Sequence, residues 1–140
     1  MEKSKVIVVD ASVIVKWFLD EPYSSKALRI RDDYVRRIVR IAVPSILEYE
    51  VLNALKYSGV YSIDELEEIG VSLNKYGFDT YNLKGELKIK AIKIAVENNI
   101  TIYDASYIAL TQKLKTKLYT ADKELIEKFP DNVIHIKYYS

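Results

Sequence analysis

Four times along this chain an apolar run gives way to a carboxylate: Asp10 in VIVVDASVIVKW, Glu50 in VPSILEYEVLNAL, Asp104 in ITIYDASYIAL and Asp122 in KLYTADKEL. Burying a carboxylate is costly unless its charge is cancelled. A fold of this sequence must therefore leave these acids in water or gather them around something positive. Hard divalent cations, which take oxygen ligands, are the usual partner of gathered carboxylates. Gathered acids of this kind point to metal-assisted chemistry on a phosphate.

The apolar runs also set the architecture. Val6 to Val9 is an unbroken β-branched and apolar run, the pattern of a strand buried on both faces. A helix is expected from Ser12 until Pro22, and helical spacing of Leu28, Val35, Ile38, Val39 and Ala42 suggests another from Ser24 to about Arg40. Ile41 to Val43 reads as a short strand stopped by Pro44. Ser45 is the expected N-cap of a helix through Lys56, with Gly59 ending it. Ser62 and Glu65 form a capping-box pattern opening a helix to about Lys75.

Thr80 to Leu83 reads as extended. Glu86 to Glu97 is amphipathic, with Leu87, Ala91, Ile94 and Ala95 inward. A helix from Asp104 to Leu114, a strand from Lys117 to Thr120, a helix from Asp122 to Lys128 and a strand from Val133 to Ile136 complete the chain. Strands alternating with helices predict a three-layer α/β/α sandwich around a mostly parallel sheet. Ligands in such folds bind beyond the carboxyl ends of the strands, where Asp10 and Asp122 fall.

Each acid has a plainer reading. Asp10, Asp104 and Asp122 could each cap a helix, and Glu50 could be an exposed helical residue. Glu48 and Glu50 stand about 200° apart on a helical wheel, so at most one of them faces any one site. Ser12 and Thr120, each two residues from an Asp, are placed to hydrogen-bond a carboxylate and orient it.

The 140 residues read as one domain, 1–140, with no repeat or linker. With no cysteine, disulfides, thiolate zinc sites and cysteine nucleophiles are excluded. The apolar stretch near the lysine-flanked start is too short for a signal peptide or membrane span, so a soluble cytoplasmic protein is expected. A net charge of +1 means that any nucleic-acid contact needs basic groups concentrated locally. All five arginines lie between Arg29 and Arg40, and on one continuous helix Arg29, Arg36 and Arg40 would form a stripe. That stripe reads as a solvated face, a phosphate-contacting patch or a protein docking site. Lys16 and Trp17 lie near Asp10, with Trp17 expected in the core. His135, the single histidine, reads as structural.

The pieces VVDASVIVKWF, PSILEYEVLNAL, YDASYIAL and LYTADKEL, in this order across essentially the whole chain, resemble those of PIN-domain nucleases. More narrowly they resemble the VapC-like toxins of type II toxin–antitoxin pairs. The resemblance implies that Asp10, Glu50, Asp104 and Asp122 are catalytic and ligate Mg²⁺ or Mn²⁺. It favours Glu50 over Glu48, because the family glutamate precedes an asparagine by three residues, here Asn53, which is expected to help orient the carboxylates as Ser12 and Thr120 do. It implies hydrolysis of RNA phosphodiesters, inhibition by a VapB-like antitoxin and a homodimer, with surplus apolar surface between Val13 and Val43 receiving partners. Two other readings stay open: a silent RNA- or partner-binding scaffold, and an aspartyl-phosphate phosphatase or receiver domain. The phosphatase pattern wants a second Asp where this chain has Ser12.

Overall fold

A computed structural model describes residues 5–140. Residues 1–4, which open the lysine-flanked segment, lie outside the described residues. Among the described residues the order is β1 (Lys5–Val9), α1 (Ala11–Val15), α2 (Ser24–Val35), β2 (Val39–Pro44), α3 (Leu47–Ser58), α4 (Ile63–Tyr76) and β3 (Asp79–Tyr81). There follow α5 (Gly85–Asn98), α6 (Ile102–Lys113), β4 (Leu118–Thr120), α7 (Lys123–Lys128), β5 (Val133–His135) and a 3₁₀ turn, Ile136–Tyr138.

The five strands form one sheet in the order β3-β2-β1-β4-β5, and every pairing is parallel. Helices flank the sheet in the expected three-layer α/β/α arrangement. The β1 run is central and buried at Ile7, Val8 and Val9, as a two-sided strand must be. From β1 the chain builds outward through β2 and β3, then returns to add β4 and β5 on the other side. The carboxyl ends of β1 and β4 therefore flank the point where strand order reverses, the place where such sheets open a crevice.

Several boundaries differ from the sequence reading. The helix after Asp10 runs only to Val15, well short of Pro22. Val13, Ile14 and Val15 are all buried, and β-branched residues crowd a helix, so this turn has no polar face on which to continue. The Trp17 indole then anchors the chain by donating to the Ala27 carbonyl at 2.8 Å. Likewise, α2 stops at Val35, Arg37 takes a left-handed φ of 64°, and Ile38 N–H donates to Asp33 O at 2.8 Å. Residues 39–43 join the ladder instead, with Lys5 opposite Val39 and Ile7 opposite Ile41. Sheet pairing overrides the helical spacing there, which leaves Val35 64% exposed rather than buried.

Ser45 does not cap α3; its N–H bonds Tyr81 O at 2.9 Å, tying the end of β2 to β3. The Ser62–Glu65 capping box forms as read, and Gly59 ends α3 at a φ of 71°. The inward set of α5 is buried as expected. Trp17 belongs to the core, packed edge-on against Tyr76 and Phe78. Lys16 is buried and pairs with Glu21 at 3.2 Å. His135 is buried, accepting Lys137 N–H at Nδ1.

Candidate active site

Asp10 leaves the end of β1 and caps α1; the residue is 8% exposed and its carboxylate is held on both oxygens. Oδ1 accepts Ser12 N–H at 3.1 Å and the Ser12 hydroxyl at 2.5 Å. Oδ2 accepts the hydroxyl of Thr120, the last residue of β4. The same two hydroxyls lock the neighbouring strand end. Ala121 N–H donates to Ser12 Oγ at 3.2 Å, and Asp122 N–H donates to Thr120 Oγ1 at 3.0 Å. Ser12 thus orients the Asp10 two residues before it, as the sequence suggested, whereas Thr120 holds Asp10 across the sheet and not the Asp122 carboxylate two residues on. Asp122 caps α7 through Glu124 N–H at 2.9 Å and Leu125 N–H at 3.4 Å. The capping reading therefore holds for Asp10 and Asp122, and both follow the carboxyl ends of their strands, β1 and β4.

Asp104 is not the cap of its helix. Thr101 fills that role, accepting Asp104 N–H at 3.0 Å, which leaves the Asp104 side chain half-buried in the first turn of α6. Glu50 is half-buried and accepts the Tyr107 hydroxyl at 2.7 Å. Glu48 lines a separate cavity with Leu73, Asn74 and Gly77, so the two glutamates do face different ways. Asn53 shares a cavity wall with Glu50, while the group that bonds Glu50 is Tyr107.

Sequence reasoning did not single out Tyr107. It stands three residues after Asp104, one helical turn on and hence on the same face, a spacing that could have revealed it. The ring is fully buried and bridges α6 to α3.

The carboxylates feel one another. Burial pushes Asp10 up to about 6; the Ser12 and Thr120 hydroxyls oppose this, and the charges of Asp122 and Asp104 add to it. Asp104 is raised by burial, then by Asp122 and Glu124. Glu50 is raised by burial, with Tyr107 opposing and Asp104 reinforcing. Burial first, then Glu50, Asp10 and Asp104 push the Tyr107 phenol far up, so it remains a hydrogen-bond donor. The side-chain ion pairs Lys16–Glu21, Arg31–Asp32, Arg40–Asp79 and Lys128–Glu124 involve other acids. As the side chains stand, no three His, Asp or Glu groups among the described residues are close enough together to hold a metal ion directly. Asp10, Asp104 and Asp122 act on one another and Asp104 on Glu50, a repulsion among hard oxygen donors that a cation would relieve.

The arginine stripe does not form. Arg29 and Arg36 lie on or at the end of α2, but Arg40 is on β2 and pairs with Asp79 at 2.6 Å. Arg40 lies near the start of β2, whereas Asp10 and Asp122 follow the carboxyl ends of β1 and β4.

Fold and side chains together define a parallel α/β domain with acids after the carboxyl ends of β1 and β4, where its strand order reverses. The PIN domain model matches residues 7–130. Ribonuclease VapC3 of Pyrobaculum aerophilum is 34% identical over 131 residues, covering 89% of this chain and 95% of that protein. The chain belongs to the PIN-domain family. Among solved structures, a toxin–antitoxin complex from Klebsiella pneumoniae superposes with a TM-score of 0.68 at 16% identity, covering 93% of this chain and 97% of that one. Mycobacterium tuberculosis VapC20, titled a Sarcin-Ricin loop cleaving toxin, has a TM-score of 0.68 at 14% identity, covering 86% and 93%. At these identities the structures attest the shared fold.

Proposed function

We propose that this protein is a divalent-metal-dependent endoribonuclease and the toxin of a VapBC-type pair, with residues 1–140 acting as a single catalytic domain. The carrying observation is the buried Asp10, clamped by Ser12 and Thr120 and close enough to Asp104 and Asp122 for their charges to act on it. The named activity of VapC3 and its coverage of nearly the whole chain support RNA as substrate, and with it a cytoplasmic site of action.

Asp10, Glu50, Asp104 and Asp122 are the groups that would hold Mg²⁺ or Mn²⁺. Their donor set suits a hard cation that keeps several waters and so tolerates a loose cluster. When bound, such an ion supplies charge neutralisation and activates water for attack on a phosphodiester. Asp10, fixed on both oxygens, sets the position of the centre. Tyr107 holds Glu50 toward it without giving up its proton. Gathering the carboxylates in one crevice lets them repel the scissile phosphate until a cation is present, which makes cleavage conditional on metal.

The toxin–antitoxin complex from K. pneumoniae supports a VapB-like antitoxin as partner. Of the region from Val13 to Val43, only Tyr23, Val35 and Ile38 are exposed large hydrophobics. Surplus apolar surface lies instead on α5, where Ile89, Ile92 and Val96 recur on one outward face. That stripe is the surface we assign to a homodimer. No helix among the described residues is long and apolar enough to cross a membrane.

Labelled RNA cut with Mg²⁺ or Mn²⁺, spared with chelator and spared by Asp10→Asn is the expected result. Equal cutting by Asp10→Asn would refute the site.

A further inference from the structure

Beside the acids lies a groove that the carboxylate chemistry does not use. Pro44, Ile46, Tyr49, Leu83, Ile102 and Tyr103 line a cavity of about 190 Å³ between the end of β2, α3 and the start of α6. It adjoins a second, more open concavity of about 450 Å³, walled by Ile46, Tyr49, Glu50, Asn53 and Tyr103. Ile46, Tyr49 and Tyr103 belong to both, so the groove runs continuously to Glu50. Tyr49 directly precedes Glu50, and Tyr103 directly precedes Asp104. These two tyrosines are 75% and 57% exposed, an unfavourable use of large rings unless something covers them.

The lining says what kind of group fits. No cationic side chain among the described residues lines either concavity, and Glu50 stands in the wall of the more open one, so the groove repels phosphate rather than cradling it. Its walls are apolar and aromatic, and the exposed Ser45 stands at the rim to meet a polar edge. The inner cavity is smaller than the ~300–1,000 Å³ of pockets that enclose a whole small molecule, and so suits a single ring system. A planar, uncharged group attached to a phosphate at the acids has that description.

The geometry points to Tyr49 and Tyr103 as a stacking pair that receives one unpaired nucleobase of single-stranded RNA, setting which phosphodiester reaches the carboxylates. This rests on the ribonuclease reading and deepens it by assigning specificity to residues outside the acid set. Stacking on aromatic rings tolerates any base, so the groove selects for an unstacked nucleotide, and shape selects among bases. A base still paired or stacked in a duplex cannot enter it.

The test uses wild type, Tyr49→Ala, Tyr103→Ala and the conservative Tyr49→Phe and Tyr103→Phe, with exposed Tyr57→Ala at the far end of α3 as a control. Cleavage of a mixed-sequence single-stranded RNA should show KM raised about 5- to 100-fold by each Ala variant, with kcat changed far less. Each Phe variant should restore KM, and Tyr57→Ala should match wild type. Binding is read separately in an Asp10→Asn background, using the same RNA with 2-aminopurine placed at each position in turn. One position should be quenched, and only while both rings are present.

Wild-type cleavage with unchanged KM in both Ala variants overturns the groove and leaves the nuclease reading intact. Tyrosine-dependent quenching combined with no RNA cleavage by the wild type in Mg²⁺ or Mn²⁺ keeps the groove and removes the nuclease reading. If light scattering shows the Ala variants losing a dimer, and KM recovers when the dimer is restored by concentration, the rings belong to an interface between copies and the proposal fails.

Discussion

The site has two halves of different mechanical character. On the strand side, Asp10 is buried and held on both oxygens, and the hydroxyls that hold it also pin the backbone of Ala121 and Asp122. On the helix side, Glu50 and Asp104 are half-buried, and Glu50 has one side-chain partner, Tyr107. One half is a fixed anchor and the other an adjustable arm. The difference accounts for acids that perturb one another yet do not stand as a ready ligand cage. A cation would draw the helix-borne carboxylates toward Asp10 rather than the reverse.

The comparison breaks most easily at the anchor. Asp10→Asn keeps the shape but removes the charge, and should lower single-turnover RNA cleavage by about 10²- to 10³-fold or more. The same change should stabilise the metal-free fold, because a buried carboxylate that must ionise is a liability. With Asp10 held at about 6 against an unfolded value near 3.8, the native state binds more protons between those values. Stability of the metal-free protein should therefore fall as pH rises from about 4 to about 6, by on the order of 3 kcal/mol. Glu50 and Asp104 are shifted in the same direction and should add to the trend. Denaturant titrations across that window should show the slope in wild type and much less of it in Asp10→Asn. Mg²⁺ should recover stability above pH 6 in wild type only.

Smaller effects sharpen the contrast. Ser12→Ala and Thr120→Val each remove a hydroxyl from Asp10 and should cost about 10- to 100-fold in activity or metal affinity, read as a higher Mg²⁺ requirement. Tyr107→Phe frees Glu50 on the adjustable side and should cost about 10-fold or less, with a stability loss of about 1 kcal/mol in thermal melts. If Tyr107→Phe proved more damaging than Thr120→Val, the assignment of anchor and arm would have to be exchanged.

Much of the fold was legible because burial leaves a periodic trace. The Val6–Val9 run announces a central strand, and the capping box at Ser62 and the inward face of α5 appear where their patterns lie. Errors cluster where one local pattern served two structures. Val35 and Ile38 keep helical spacing with α2, yet the chain turns at Arg37 because residues 39–43 gain more by pairing with β1. That single turn dissolved the arginine stripe, since Arg40 moved onto a strand and found Asp79. The orienting role of Ser12 was readable from its two-residue offset from Asp10, whereas Thr120 reaches Asp10 from the far end of the chain instead of serving Asp122, and Tyr107, which bonds Glu50, was not singled out.

By itself the sequence determined the alternation of strands and helices and the acids that end its apolar runs, since these depend only on neighbours along the chain. Which acids approach, how far each is buried and which hydroxyl holds which oxygen were decided by the strand order, with β4 laid beside β1. A carboxylate's charge is governed by what surrounds it in space, and for Asp10 that surrounding includes Thr120, 110 residues away along the chain.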